Sequence, residues 1–308
     1  MAKKLKTFEG FWILKSFWHA LTHAIPLDYD PFKPLKNKAP VPRSHFYKIE
    51  TGKGKRFNDN KKTIKICSWN VFYGLNKNEI IREIKTNSYL KDVDVFLLQE
   101  APRFFSNKKE NFSKILMKKT GYNYVYAVLT VNLDSSGNPV KDIGNLILSK
   151  YPILKSKIFR LKTLKGRWDF DPYDPNFGNR LALLATLRTH NGNIDIANIH
   201  LDTMVLKSKR GEQLREFLED LKKVGHLHRI IIGGDFNTVE GKEKIVRNVI
   251  ENEGYDNIFG KNFIRTHNFV IPMHTDHIYF KNIKLLNSRV LREVKCSDHY
   301  PIVAEFSL

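Results

Sequence analysis

Four apolar runs in this sequence end on a group that can bind metal, water or phosphate. "IKICSWN" runs into Asn70, "VDVFLLQE" into Glu100, "IDIANIH" into His200, and "RIIIGGDFN" into Asp235 and Asn237. Two more groups precede such runs: Asp276 before "HIYF", and Asp298-His299 before "PIVAEF". Taken singly, each is ordinary turn chemistry, because Asn, Asp and Gly are favoured where strands end. Taken together, they are the parts of a metal-assisted phosphoester hydrolysis. Hard oxygen donors suit Mg²⁺, which keeps several waters and takes one or two carboxylates plus substrate phosphate. Glu100 is such a carboxylate, with Asn70 close by. Asp235, with an amide two residues on at Asn237, can orient an attacking water and hold a phosphate oxygen. A histidine backed by a carboxylate, His299 with Asp276, has a fixed tautomer and a stabilised cation, which suits the charge of a pentacoordinate phosphorus. Cys67 and Cys296 are the only cysteines, too few for a disulfide framework and not in zinc spacing.

These groups need strands to hold them. Apolar or alternating runs predict strands over 63–70, 93–99, 123–131, 144–149, 181–189, 194–200, 229–234, 277–283 and 302–306. Helices are expected over 79–86, 111–119, 208–224 and 243–253, the third with an apolar stripe of Leu214, Phe217, Leu218 and Leu221. In an antiparallel or mixed sheet, one strand's outgoing end lies beside its neighbour's incoming end, so all the groups can meet at one rim. Many strands with interspersed helices predict an α+β layered domain, two sheets face to face with helices outside. That catalytic domain is expected over residues 63–308. Residues 1–62 are expected to form an amphipathic helix, with Phe11, Leu14, Trp18, Leu21 and Ile25 on one face, followed by an extended basic and Pro-rich arm.

The motifs also resemble a known family. "SWN" at 68–70, "LLQEA" at 97–101, "GNLILSKYPI" at 144–153, "NIHLDT" at 198–203, "GGDFNT" at 233–238, "TDHIYF" at 275–280 and "SDHYPIV" at 297–303 are similar, in order and spacing, to the endonuclease/exonuclease/phosphatase superfamily. The resemblance implies a DNase I-like, four-layered α/β/β/α sandwich of two mixed sheets, with the site at one edge. It makes Glu100 the principal metal ligand, helped by Asn70, and lets Asp298 contact metal directly or through water. Asp235 aligns or deprotonates the nucleophilic water, and Asn237 orients it. His200 and His299 stabilise charge on the phosphoryl oxygens, His299 being oriented by Asp276. Asn145 and Arg180 fall where relatives approach the substrate. Mg²⁺ is the implied cofactor, with Mn²⁺ as a substitute.

Substrate class is read from charge and insertions. Lys and Arg exceed Asp and Glu by 52 to 32, a formal charge of +20, so a polyanion is the expected partner. Nucleic acid is favoured, and an anionic membrane surface is the alternative. The "NIHLDT" form departs from the abasic-site endonucleases and resembles DNase I-type nucleases, sphingomyelinase-type phospholipases and inositol polyphosphate phosphatases. The segment 165–180, "KGRWDFDPYDPNFGNR", mixes aromatics with cations, and Trp168 there is a candidate for stacking on a base. A non-catalytic scaffold is disfavoured by the full set of reactive groups. No run reaches the roughly 18 apolar residues of a membrane span, and the N-terminus makes a poor secretion signal. A monomer in the cytoplasm is expected, with a membrane-peripheral or secreted protein as the alternatives.

Overall fold

Short runs of Ile, Val and Leu, each broken by turn residues after six to eleven positions, form strands here, and their two faces divide the work. In the computed structural model, the described residues are 42–55, 61–104, 111–134, 136–161, 176–178, 180–202, 207–225, 227–238, 244–268 and 272–308. A 3₁₀ turn at Arg43–Tyr47 leads into β1 (Ile49–Gly52), β2 (Thr63–Asn70), a second 3₁₀ turn at Phe72–Gly74, and α1 (Lys77–Thr86). Next come β3 (Val95–Phe104), α2 (Phe112–Thr120), β4 (Asn123–Leu133), β5 (Pro139–Ser149), β6 (Ile153–Arg160), β7 (Asn176–Gly178), β8 (Leu181–Thr189) and β9 (Gly192–His200). The chain continues through α3 (Lys207–Lys222), β10 (Ile230–Asp235), α4 (Lys244–Glu251), β11 (Asp256–Asn257), β12 (Asp276–Lys281), β13 (Lys284–Val290) and β14 (Ile302–Ser307).

The first sheet has the order β1-β4-β5-β3-β2-β14-β13, with β7 on β4, and the second β11-β12-β10-β9-β8-β6. Both are mixed: β2 and β3 run parallel, as do β9 and β10, and the other pairs are antiparallel. Between the sheets, Ile64, Ile66, Leu97 and Ile147 share one buried cluster with Leu183, Ile196, Ile231 and Ile278. On the outer face of the first sheet, Trp69, Phe96 and Leu98 pack with Ile80, Ile84 and Leu116 of the helices. On the outer face of the second, Ala197 and Ile232 pack with Leu214, Phe217, Leu221, Val246 and Ile250. The result is the four-layered sandwich expected.

A buried polar latch crosses the otherwise mostly apolar inter-sheet core. Gln99 Nε2 donates to Asn198 Oδ1 at 2.8 Å, while Asn198 Nδ2 donates to the carbonyls of Leu98 and Leu146 at 3.0 and 3.1 Å. Asn145 Nδ2 donates to the carbonyls of Asn198 and Leu181 at 3.2 and 3.3 Å, and all three amide residues are fully buried. Gly234 lies where β10 meets β9. With φ at +154°, its Cβ would stand 1.9 Å from the carbonyl oxygen of Ile199, so only glycine fits.

The folded body differs from expectation at its start. β1 pairs with β4 through Ile49↔Ala127, and Lys55 N–H donates to the Gly121 carbonyl at 2.7 Å. Ile49–Gly52 therefore forms an edge strand of the first sheet, ahead of the boundary expected at Thr63. An apolar β4 would otherwise present unpaired backbone groups at the sheet edge. The expected amphipathic helix lies outside the described residues.

Candidate active site

The register of three strands sets one row of the site. Asp235 at the end of β10 faces His200 on β9 and Asp276 on β12, and His200 in turn faces Leu181, which brings Arg180 alongside. The first sheet delivers the opposite wall. Asn70 ends β2, and the turn before β14 carries Asp298 and His299. That turn is fastened from both sides: Ser297 Oγ donates to the Asn70 carbonyl at 2.7 Å, and Trp69 Nε1 donates to the His299 carbonyl at 3.0 Å.

Glu100 reaches this edge through a break in β3. Register slips between Leu98 and Ala101, and Glu100 itself has φ at +58°. A left-handed backbone at a residue with a Cβ costs about 1–3 kcal/mol and is held only where its surroundings impose it. The bulge re-aims the side chain, a recurrent use of bulges beside active sites. Asn237 has the same strained geometry, φ at +51°, and its N–H donates to Asp235 Oδ1 at 2.8 Å.

Asp235 is the hub. Its Oδ2 accepts from Asn70 Nδ2 at 3.1 Å, with His200 Nε2 at 3.6 Å and His299 Nε2 at 3.8 Å. Across the sheets, His299 Nδ1 lies 2.8 Å from Asp276 Oδ2, which also accepts from Thr275 Oγ1 at 2.8 Å. His200 Nε2 lies 3.0 Å from Arg180 Nη1. A guanidinium only donates, so Nε2 accepts and the His200 proton sits on Nδ1. Arg180 is held in turn by Asp202, Nε to Oδ1 at 3.1 Å, and Asp202 Oδ2 accepts from Gln213 Nε2 of α3 at 2.9 Å.

Burial and like charge set the protonation of these groups. Desolvation pushes the Glu100 carboxyl up to about 7, with Asp298 and Asp235 adding repulsion against the pull of His299 and Asn70. Desolvation likewise raises Asp235 to about 6, offset in part by the His299 cation. Asp298 is raised for the same first reason. His299 is raised as well, but toward its charged form: burial opposes the charge, and Asp276, Asp235 and Asp298 outweigh that and hold it well above its ordinary value. A cationic histidine thus faces carboxylates that are each reluctant to ionise.

This constellation meets a match in sequence. The model of the endonuclease/exonuclease/phosphatase family aligns with residues 67–299, ending on His299 itself. The chain belongs to that family. No curated protein matches it in sequence, but solved structures share its fold. An endonuclease/exonuclease/phosphatase from Beutenbergia cavernae superposes with a TM-score of 0.65 at 17% identity, covering 80% of this chain and 72% of that one. The human Nocturnin catalytic domain, with a bound sulfate anion, gives 0.60 at 19% identity, over 84% and 97%. ANGEL2, a 2',3'-cyclic phosphatase, gives 0.60 at 17% identity, over 80% and 95%. As a member of the endonuclease/exonuclease/phosphatase family, the chain is a hydrolytic phosphoesterase.

Divalent metal is general in this family, and the residues fit one. Glu100 Oε2 is buried without a hydrogen-bond partner, and the repulsion among Glu100, Asp298 and Asp235 is what a cation would relieve. Donor atoms of His267, Asp298 and His299, and of Asp235, Asp276 and His299, lie within 4.8 Å of one another. Glu100 is in neither group, but it is close enough to Asp298 for their charges to repel, and these carboxylate oxygens suit a hard cation better than His299, whose Nδ1 is already committed to Asp276.

Other expected residues are placed differently. Asn145, expected near the substrate, is fully buried in the inter-sheet latch with Nδ2 committed to two carbonyls. Arg180 is 7% exposed and braces His200. Asn237 Nδ2 donates to the Leu201 carbonyl at 2.9 Å, so the backbone N–H is what holds Asp235. Trp168 lies outside the described residues. Asp202, Gln213, Thr275 and His267 escaped the sequence reading. The His267 ring lies 4.3 Å from that of His299, and burial with His299's charge pushes it down to about 2, so it packs as a neutral wall. The signal for Asp202 was its place in "HLDT", but its partner Gln213 is eleven residues away on a helix.

Proposed function

We propose that this phosphoesterase is a Mg²⁺-dependent phosphodiesterase acting on nucleic acid, with Mn²⁺ able to replace Mg²⁺. The observation that carries the chemistry is Asp235 Oδ2, flanked by Asn70, His200 and His299. Asp235 takes the proton of the attacking water. Its two oxygens are held by Asn237 N–H and Asn70 Nδ2, so it cannot turn away from that task. His299, kept cationic by Asp276, offers Nε2–H to the phosphoryl oxygens as their charge grows. Arg180 supplies positive charge on the other wall and fixes the His200 tautomer. Glu100, Asp298 and Asn70 would hold the cation, which when bound polarises a phosphoryl oxygen and screens the carboxylates. The +20 charge favours a polyanionic strand as substrate.

A substrate panel with Mg²⁺ tests the reading: single- and double-stranded DNA, RNA, abasic DNA, sphingomyelin vesicles and inositol phosphates. Because one structural neighbour is named a 2',3'-cyclic phosphatase, an oligonucleotide with that end belongs in the panel. Nucleic acid should be cleaved, with rates that fall steeply as salt rises, and His299→Ala should be inert. Hydrolysis of none, or equal hydrolysis by wild type and variant, would sink the assignment. Hydrolysis confined to vesicles would move the substrate to lipid.

A further inference from the structure

The rim opposite the site carries a feature that the reaction does not use. β2 ends at Asn70 in the site and starts at Thr63, next to Lys61. β3 begins after Asp94, β5 ends before Lys150, and β8 runs from Arg180 in the site to Arg188 and Thr189. Seven residue steps along β2 put this rim about 20 Å or more from Asn70, at roughly 3.3 Å per residue. A cleft of about 1220 Å³ opens there.

Its charge is one-sided. Eight lysines and one arginine line it against a single carboxylate, Asp94. That carboxylate is already shared, with Lys61 Nζ at 2.7 Å, Lys150 Nζ at 3.5 Å and the Lys65 N–H at 3.0 Å. Lys53, Lys55, Lys85, Lys119 and Lys155 stand exposed around it. They come from the segment after β1, the ends of α1 and α2, and the start of β6, so the charge is spread along the cleft. Burial depresses Lys150, with Asp94 opposing and Lys61 adding repulsion.

We propose that this cleft is a second binding site, an exosite that grips the sugar-phosphate backbone of a nucleic-acid strand whose scissile phosphate lies at the distant catalytic rim. It rests on the nucleic-acid reading above for its ligand. A cleft above the ~300–1,000 Å³ of small-ligand pockets is too roomy for one phosphate. An extended polyanion matches distributed lysines, while a flat bilayer does not match a concave cleft. Tyr122, Tyr124 and Tyr151 line it but are at most 4% exposed, so they offer no open ring for stacking. Recognition is therefore of phosphate charge and indifferent to base.

The test uses the full chain in EDTA and fluorescence anisotropy with labelled 20-mers of oligo-dT, oligo-dA and oligo-rU. Combining Lys53→Glu, Lys55→Glu and Lys155→Glu should weaken binding of all three by at least about tenfold. It should also lower the salt slope by roughly 2, since each phosphate contact on a single strand contributes about 0.7. A charge-matched control, Lys223→Glu with Lys261→Glu and Lys284→Glu, should change affinity less than about twofold. Equal weakening by both triples, or by neither, overturns the exosite, as does binding of phosphatidylserine vesicles in place of oligonucleotide. Thermal melting checks folding, and the same three positions as Gln give a milder version whose affinity must fall in the same direction. Cleavage of nucleic acid without exosite binding would refute this inference and leave the nuclease reading standing. Exosite binding with no nucleic acid cleaved in the Mg²⁺ panel would do the reverse.

Discussion

The two rims of the same sheets treat charge in opposite ways. At the catalytic rim, Asp235, Asp276, His200 and His299 are almost wholly buried and held by specific partners at 2.8–3.8 Å. At the other, lysines stand in solvent with one carboxylate between two of them. Desolvated charge is strongly coupled, so one lost partner strands the rest. Exposed charge is screened and additive, so its effects are small singly and grow with number. Catalysis therefore belongs to the first rim, and the proposed exosite to the second.

The largest break in that contrast is His299→Ala or Asp235→Asn, either of which should lower kcat by about 10³-fold or more while leaving oligonucleotide affinity in EDTA intact. Glu100→Gln should abolish Mg²⁺-dependent turnover and any rise in melting temperature on adding Mg²⁺. It should also stabilise the metal-free protein at pH 8. With the folded carboxyl at about 7 and the unfolded value at 4.5, only the folded state keeps its proton between those limits. Wild-type stability thus falls as pH climbs through that window, by up to about 3 kcal/mol, and the variant escapes this. At saturating Mg²⁺, kcat/KM should rise with pH as Asp235 ionises, on an acid limb at or below about 6 because a bound cation eases that ionisation, then fall at higher pH as His299 loses its proton. Asp276→Asn should shift the alkaline limb to lower pH, since Asp276 is a chief support of the His299 cation. Asp202→Asn, which loosens Arg180 and through it His200, should cost about tenfold in kcat and leave the acid limb in place. Smallest of all, Lys53→Ala alone should raise KM for long strands about twofold and leave kcat unchanged.

What the sequence made legible follows the same division between inside and edge. β2 and β8 are observed over 63–70 and 181–189, as predicted, because interior strands are apolar on both faces. The strands that went unseen include all four sheet edges: β1, β13, β11 and β6. β6, "ILKSKIFR", alternates buried or half-buried residues with exposed Lys and follows Pro152, which reads as a break. Lysine on an edge strand discourages pairing with other chains, and that same device dilutes the pattern. The site was readable where a reactive group ends an apolar run, as at Asn70, Glu100, His200 and Asp235. It was not readable where the partner comes back from elsewhere, as Gln213 does to Asp202. The left-handed backbone of Glu100 likewise left no mark in "LLQEA".

The Gln99–Asn198–Asn145 latch has a consequence for motion. Its buried amides find their partners only when both sheets are docked in one alignment, so sliding one sheet over the other by a single residue would strand several polar groups in an apolar core. The sandwich should then open as one unit. In native-state hydrogen exchange, the amides of β3, β5 and β9 should share a single opening free energy, and Asn198→Leu should let the two sheets exchange at separate rates.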